Sequence, residues 1–370
     1  MPTDSFPDSN QLKDWFNRER YESLAALLAN VDPGFDRAKF LEVTLDGLQE
    51  RELKARLYQT VLGIHAALPG PFKHNLAVLR QLAPSIGHSF IAVGLSDYVA
   101  EFGLNSPAVS LPALKFFTQF GSAEFAVRPF LIRDQAATLA VMSAWAADKN
   151  EHVRRLASEG SRPRLPWGPQ LRALAKDPRP TFPILTQLRA DPSLYVRKSV
   201  ANHLNDIAKD NANLMLDLVE GWDREVPETR WIVKHGLRTL IKQGHPRALA
   251  LCGAQTDPKL SVNSFSCAPT ELDLGDSLSL QADLVSHDQR QLELIVDYVI
   301  HYVKASGSTS AKVFKWRAVS LPPGGKIQIE KKQTIRDFST RRHHAGIHRI
   351  ELQINGRRLA STQFELRTQP

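Results

Sequence analysis

DPSLYVRKSVANHLNDIAKD, Asp191 to Asp210, is the stretch on which the reading of this chain turns. Val196, Val200, Leu204 and Ile207 recur at helical spacing, so the segment predicts an amphipathic helix. Advancing about 100° per residue puts Lys198, Asn202, Asn205, Asp206 and Lys209 together on the side opposite those apolar residues. That side is not ordinary Lys/Glu decoration. Asn is a poor interior helix residue, because its amide competes for backbone hydrogen bonds. Asn202 and Asn205 therefore point to hydrogen bonding with something outside the helix. Asp206 is the informative member. Beside a phosphate backbone it would repel the ligand, so it either pairs with Lys209 or an Arg of the next repeat, or faces a developing positive charge.

Working outward, the helical period holds up to about residue 254. QLKDWFNRERYESLAALLANV and RDQAATLAVMSAWAAD read as further amphipathic helices, punctuated by Pro and Gly at LPGPF, NSPAVS and KDPRPTFP. A weak repeat runs through them. Val127-Arg128, Val153-Arg154 and Val196-Arg197 each open an apolar helical run, and YVRKSVANHL overlays WIVKHGLRTL. Irregular helical repeats of this kind suggest a HEAT-like solenoid of stacked helix pairs. An Arg recurring early in each unit would line a groove with cations; the alternative is that these Arg residues cap or bridge neighbouring turns.

Beyond GAQTDPKLSVN the period changes to two. SLSLQADL, LELIVDYVIHYV and KVFKWRA read as strands, and HRIELQINGRRLASTQFEL as a hairpin turning at Asn355-Gly356. Roughly seven short strands fit an all-β immunoglobulin-like sandwich. The expected organisation is a helical domain over 1–256 and a sandwich over 257–370. Between strands, KKQTIRDFSTRRHHAGIHR is the densest positive tract, with Arg341, Arg342, His343 and His344 expected near a loop tip that neutralises phosphates.

The 370 residues carry a net charge of +8, which favours an anionic partner, nucleic acid first. No run of some eighteen apolar residues predicts a membrane span. The start is polar and acidic, unlike a secretory signal. Two cysteines without metal-type spacing fit a reduced, cytoplasmic protein. No cluster of Asp, Glu or His at ligand spacing predicts a metal, and no cofactor is expected.

YVRKSVANHLNDIAKD, EFAVRPFL, ASEGSRPRLPW and WIVKHGLRTLIKQGHP together resemble the DNA alkylation repair glycosylases of the AlkC/AlkD group, specifically the AlkC branch with its appended immunoglobulin-like domain. The resemblance implies a monofunctional glycosylase that removes cationic N-alkylated bases, such as 3-methyladenine and 3-methylcytosine, from double-stranded DNA without flipping them into a deep pocket. It maps the family's site onto Glu124, Glu159, Asp206 and Trp167. Arg128, Arg154, Arg162, Arg164, Arg197, Lys198, Asn202, Lys234 and His235 are then the expected DNA contacts of the helical part.

The chemistry suits those residue types. An N3-alkylated base already carries positive charge, so its glycosidic bond breaks toward a neutral leaving group and an oxocarbenium-like sugar. Negative charge beside the sugar and a positioned water help more than a strong acid does. An indole favours a cationic base over a neutral one. Two other readings stay open: a non-enzymatic scaffold, and an adaptor whose sandwich recruits partners. A monomer is expected.

Overall fold

The computed structural model describes residues 11–338 and 342–367. It divides into two compact units, Met1–Gly236 and Leu237–Pro370. The first is helical: α1 Arg18–Val31, α2 Arg37–Leu45, α3 Leu53–Ala67, α4 Phe72–Ile86, α5 Val93–Phe102, α6 Pro107–Phe117, α7 Arg128–Arg133, α8 Gln135–Trp145, α9 Glu151–Gly160, α10 Arg172–Lys176, α11 Phe182–Gln187, α12 Leu194–Asp210, α13 Ala212–Glu220 and α14 Pro227–Gly236. Two more short helices, α15 Arg238–Lys242 and α16 Pro246–Leu251, belong to the second unit.

The helix starts are written locally. Asn17, Asp36, Asp134 and Asn150 each accept a backbone N–H from the first turn of α1, α2, α8 and α9. Neighbouring helices then bury their apolar sides against one another. Val127, Val153 and Val196, the residues that open the repeat, are all in the core. Gly160 ends α9 where a side chain would collide with Val127: a Cβ there would sit 2.5 Å from its Cγ1. α12, the helix of Asp191–Asp210, packs between α9 and α14.

The second unit adds eight strands: β1 Leu260–Ala268, β2 Glu271–Asp273, β3 Ser277–Ser286, β4 Leu292–Val303, β5 Thr309–Leu321, β6 Lys326–Thr334, β7 Gly346–Ile354 and β8 Arg357–Arg367. They form a three-stranded sheet, β1-β3-β6, and a five-stranded sheet, β2-β8-β7-β4-β5. All pairs are antiparallel except β2 with β8. Alternate residues point inward, as in Leu278, Leu280, Ala282 and Leu284 of β3 and Ile350, Leu352 and Ile354 of β7. The fold is thus a helical solenoid followed by an immunoglobulin-like sandwich.

The β7–β8 turn has the predicted type I′ character, with φ +47° at Asn355 and +80° at Gly356. It also explains why the second unit begins before the 256/257 boundary read from the change of period. Gly356 lies against Gly244, so closely that a Cβ would come within 2.0 Å of the Gly244 Cα. Gln353 Nε2 donates to the Lys242 carbonyl at 2.9 Å, and Asn355 Nδ2 to the Gln255 carbonyl at 2.7 Å. Residues with helical period are therefore tied into the sandwich. No helix among the described residues is long and apolar enough to cross a membrane.

Candidate active site

Three stretches of the helical unit bring Glu124, Glu159 and Asp206 together: the turn ahead of α7, the end of α9 and the middle of α12. They meet as alternating charges rather than as an open anionic pocket. Arg155 pairs with Glu124 and lies 3.4 Å from Glu159 Oε1. Arg162 Nη1 donates to Glu159 Oε1 at 2.6 Å, and its Nε and Nη2 both lie 2.8 Å from Asp206 Oδ2. Lys209 Nζ donates to Asp206 Oδ1 at 3.1 Å. The order is Glu124, Arg155, Glu159, Arg162, Asp206, Lys209. Ser199 Oγ closes the free oxygen of Glu159 at 2.6 Å, and Ser122 hydrogen-bonds both Glu124 and Arg155.

Burial falls unevenly along this chain. Asp206 and Glu159 are buried, Glu124 is half-buried and Lys209 is exposed. Burial is the largest single effect on the Arg155 and Arg162 guanidiniums and works downward, but the neighbouring carboxylates together outweigh it and hold both above the ordinary arginine range. His203 packs just behind, with Nδ1 3.0 Å from the Ser158 carbonyl oxygen. Burial first, then the nearby Arg162, pushes its imidazole down to about 3, so it stays neutral.

Trp167 stands apart from the core. It is 64% exposed, more than any other large apolar side chain among the described residues. Its φ is +66°, a left-handed backbone that bulky residues rarely adopt. The following Gly168 packs on Phe125 and Arg128, which brings the Trp167 turn beside the segment carrying Glu124.

Several of the expected DNA contacts have partners within the protein. Arg128 is fully buried and donates to the carbonyls of Gly160, Arg162 and Pro169. Arg154 forks onto Asp191 and also donates to the Asp148 and Lys149 carbonyls. Arg197 donates to the carbonyls of Asp191 and Pro192. The recurring Arg thus ties loops together instead of lining a groove with free cations. Arg162 is consumed by the two carboxylates, and Arg164 forks onto Asp210 at 2.6 and 2.7 Å while staying partly exposed.

Lys198, Lys234 and His235 are exposed, and Asn202 is half-buried. His235 stacks on Trp231 with ring centroids 3.7 Å apart. The polar side of α12 is not free, however: Ser199, His203, Asn205 and Asp206 are buried, because the helix is flanked on both sides.

In the sandwich unit Arg342 is exposed and His344 half-buried. His343 is buried, with its ring 3.1 Å from Asp337, so it is not at a loop tip. Arg341 lies outside the described residues.

Arg155 is not among the residues that the sequence reading singled out. EHVRRLASEGSR spaces Arg155, Glu159 and Arg162 at i, i+4 and i+7, which was the signal for one continuous row. Ser122 and Ser199 gave no such signal.

Residues 117–240 match the family model for the DNA alkylation repair enzyme, and residues 261–368 match that for the C-terminal Ig-like domain of the uncharacterised protein YhaZ. The Bacillus subtilis (strain 168) protein YhaZ, itself uncharacterised, is 39% identical over 356 residues, spanning 96% of this chain and 99% of its own length. The Pseudomonas fluorescens alkylpurine DNA glycosylase AlkC, solved bound to DNA containing an abasic site analog, is 46% identical with a TM-score of 0.93, covering 96% of this chain and 99% of that one. All four carboxylate and indole positions fall inside the alkylation-repair segment, and with relatives matching almost end to end this chain belongs to the DNA alkylation repair enzymes, in their AlkC branch.

Proposed function

We propose that this protein is a monofunctional DNA glycosylase. It hydrolyses the N-glycosidic bond of cationic alkylated bases, 3-methyladenine and 3-methylcytosine, in duplex DNA as a monomer, without a metal and without flipping the base. The observation that carries this reading is the row of three carboxylates beside an exposed indole, inside the segment matched by the alkylation-repair model. The AlkC relative, solved on DNA with an abasic site analog, supports it.

In this reading the lesion's positive charge and the Trp167 face attract one another. As the bond lengthens, charge moves to the sugar. Asp206 and Glu159 stabilise that charge, and Glu124, the least buried of the three carboxylates, completes the negative field and orients water. The pairing cations fit the same scheme. An approaching duplex competes for Lys209, which is exposed, and draws positive charge away from Asp206 toward phosphate. Lys198, Lys234 and His235 hold flanking phosphates, and the sandwich, with Arg342 at its surface, clamps the duplex. The 1–256 and 257–370 division is the functional one in this proposal.

The test is direct. The protein is incubated with methylated duplex DNA in the presence of a chelator, and free modified base and abasic sites are measured. Release should persist under chelation and fall by about 10²–10³-fold in Asp206→Asn. DNA binding with no base liberated would replace this reading by a scaffold.

A further inference from the structure

The residues matched by the alkylation-repair family begin at 117, where α6 ends, and none of the site residues named above lies on α1 to α6. We propose that Lys54, in the first turn of α3, is a positioning residue for Trp167 and that these helices act on the lesion through it. The inference rests on the glycosylase reading above.

Lys54 Nζ donates to the Trp167 carbonyl oxygen at 2.6 Å, across 113 residues of sequence. Trp167 and the hairpin residue Asn355 are the two non-glycine residues with positive φ among those described. A bulky side chain keeps such a backbone when its surroundings over-determine it. Arg128 fixes the loop on either side, at the Gly160, Arg162 and Pro169 carbonyls. The tip itself has a local bond, Gly168 N–H to the Leu165 carbonyl at 3.3 Å, and the bond from Lys54.

Lys54 is delivered from a rigid base. Two residues on, the buried Arg56 donates to the carbonyls of Arg51, Lys13 and Phe16 at 2.9, 2.8 and 3.0 Å. The ammonium thus pins the left-handed peptide that turns the indole outward. Without it the peptide relaxes and the indole leaves the lesion face.

Lys54→Met keeps the stem and removes the donor, while Lys54→Arg retains one. Single-turnover base release at saturating methylated DNA should fall roughly tenfold in Lys54→Met, as expected for loss of a charged hydrogen bond. Lys54→Arg should recover most of it, and DNA affinity should change less than about twofold. The double variant Lys54→Met/Trp167→Ala should be no slower than Trp167→Ala alone, because both act through one side chain.

A loss that adds to that of Trp167→Ala, or one seen in affinity and salt dependence instead of rate, would make Lys54 a phosphate contact and overturn the proposal. Lys54→Met at the wild-type rate with a slow Trp167→Ala would sink this inference alone. A wild-type protein that releases no base would sink the glycosylase reading with it. A readout free of activity is the ¹⁹F resonance of 5-fluoro-Trp167, assigned by Trp167→Phe. It should shift in Lys54→Met without DNA; an unmoved resonance counts against the clamp.

Discussion

In the helical unit Arg128, Glu159, Arg162 and Asp206 lie buried close together, whereas the facing sides of the two sheets in the sandwich are lined by Leu278, Leu280, Leu294, Ile350 and Leu352. Both units have ample apolar cores, so the buried charges of the first are not a substitute for missing hydrophobic surface. Desolvating an ion costs several kcal/mol, and pairing repays it only when geometry is good, so a buried charge row is weak evidence for stability. The sandwich also buries carboxylates, Asp297 and Glu351, but the arginines that pair with Glu351, Arg349 and Arg358, are exposed. In the helical unit Arg162 is buried along with Glu159 and Asp206, which fits a site that needs negative potential in a dry place.

The comparison breaks first at Arg162, which bridges two of the carboxylates. Arg162→Met leaves Glu159 and Asp206 with Arg155 and Lys209 alone. Stability should drop by about 3 kcal/mol in denaturant unfolding, because removing one partner strands buried charge. Asp206→Asn added to Arg162→Met should restore part of that loss. If the double variant is the less stable of the two, the row is held by packing and not by charge balance.

The helical and strand periods were legible because Val196, Val200 and Leu204, or Leu280, Ala282 and Leu284, answer to one face each. The carboxylates were legible through family resemblance and residue type. What the cations do was not. Arg128, Arg154 and Arg197 look like surface charge in sequence, and their acceptors are carbonyls set by loops that periodicity does not describe. For the same reason the wheel of α12 separated its two sides but could not show that Asn205 and Asp206 on the polar one are buried while Lys198 and Lys209 stay exposed. Residues 237–254 are helical as their period says, and the period carries no sign that Lys242 packs with β-strands.

Asp97 sharpens the contrast within the helical unit. It sits on α5 away from the charge row, and burial alone pushes its carboxyl up to about 7. Its folded value thus exceeds the 3.8 of the free group, so folding takes up a proton between the two. Stability should decline as pH rises from about 4 to 7 and then level off. Asp97→Asn should flatten that decline and gain about 2 kcal/mol at pH 8, allowing for the residue's partial exposure. Melting temperatures across pH test this. A variant as pH-sensitive as wild type would mean that another group carries the titration.

The smallest effect is expected where the sandwich keeps its charge outside. Arg342 is exposed, and it acts on Asp337, whose carboxyl is held below its usual range chiefly by the His343 backbone and ring and least by Arg342. Arg342→Ala should therefore leave unfolding free energy within about 0.5 kcal/mol of wild type, as for most surface substitutions. DNA is where the change should register. One lost phosphate contact lowers the slope of log affinity against log salt by about one, and at physiological salt it weakens binding by roughly threefold. Both follow from releasing one fewer counterion, so they should appear together and for any duplex sequence. An unchanged salt slope would place Arg342 off the DNA path and leave the helical unit's exposed lysines to hold the duplex.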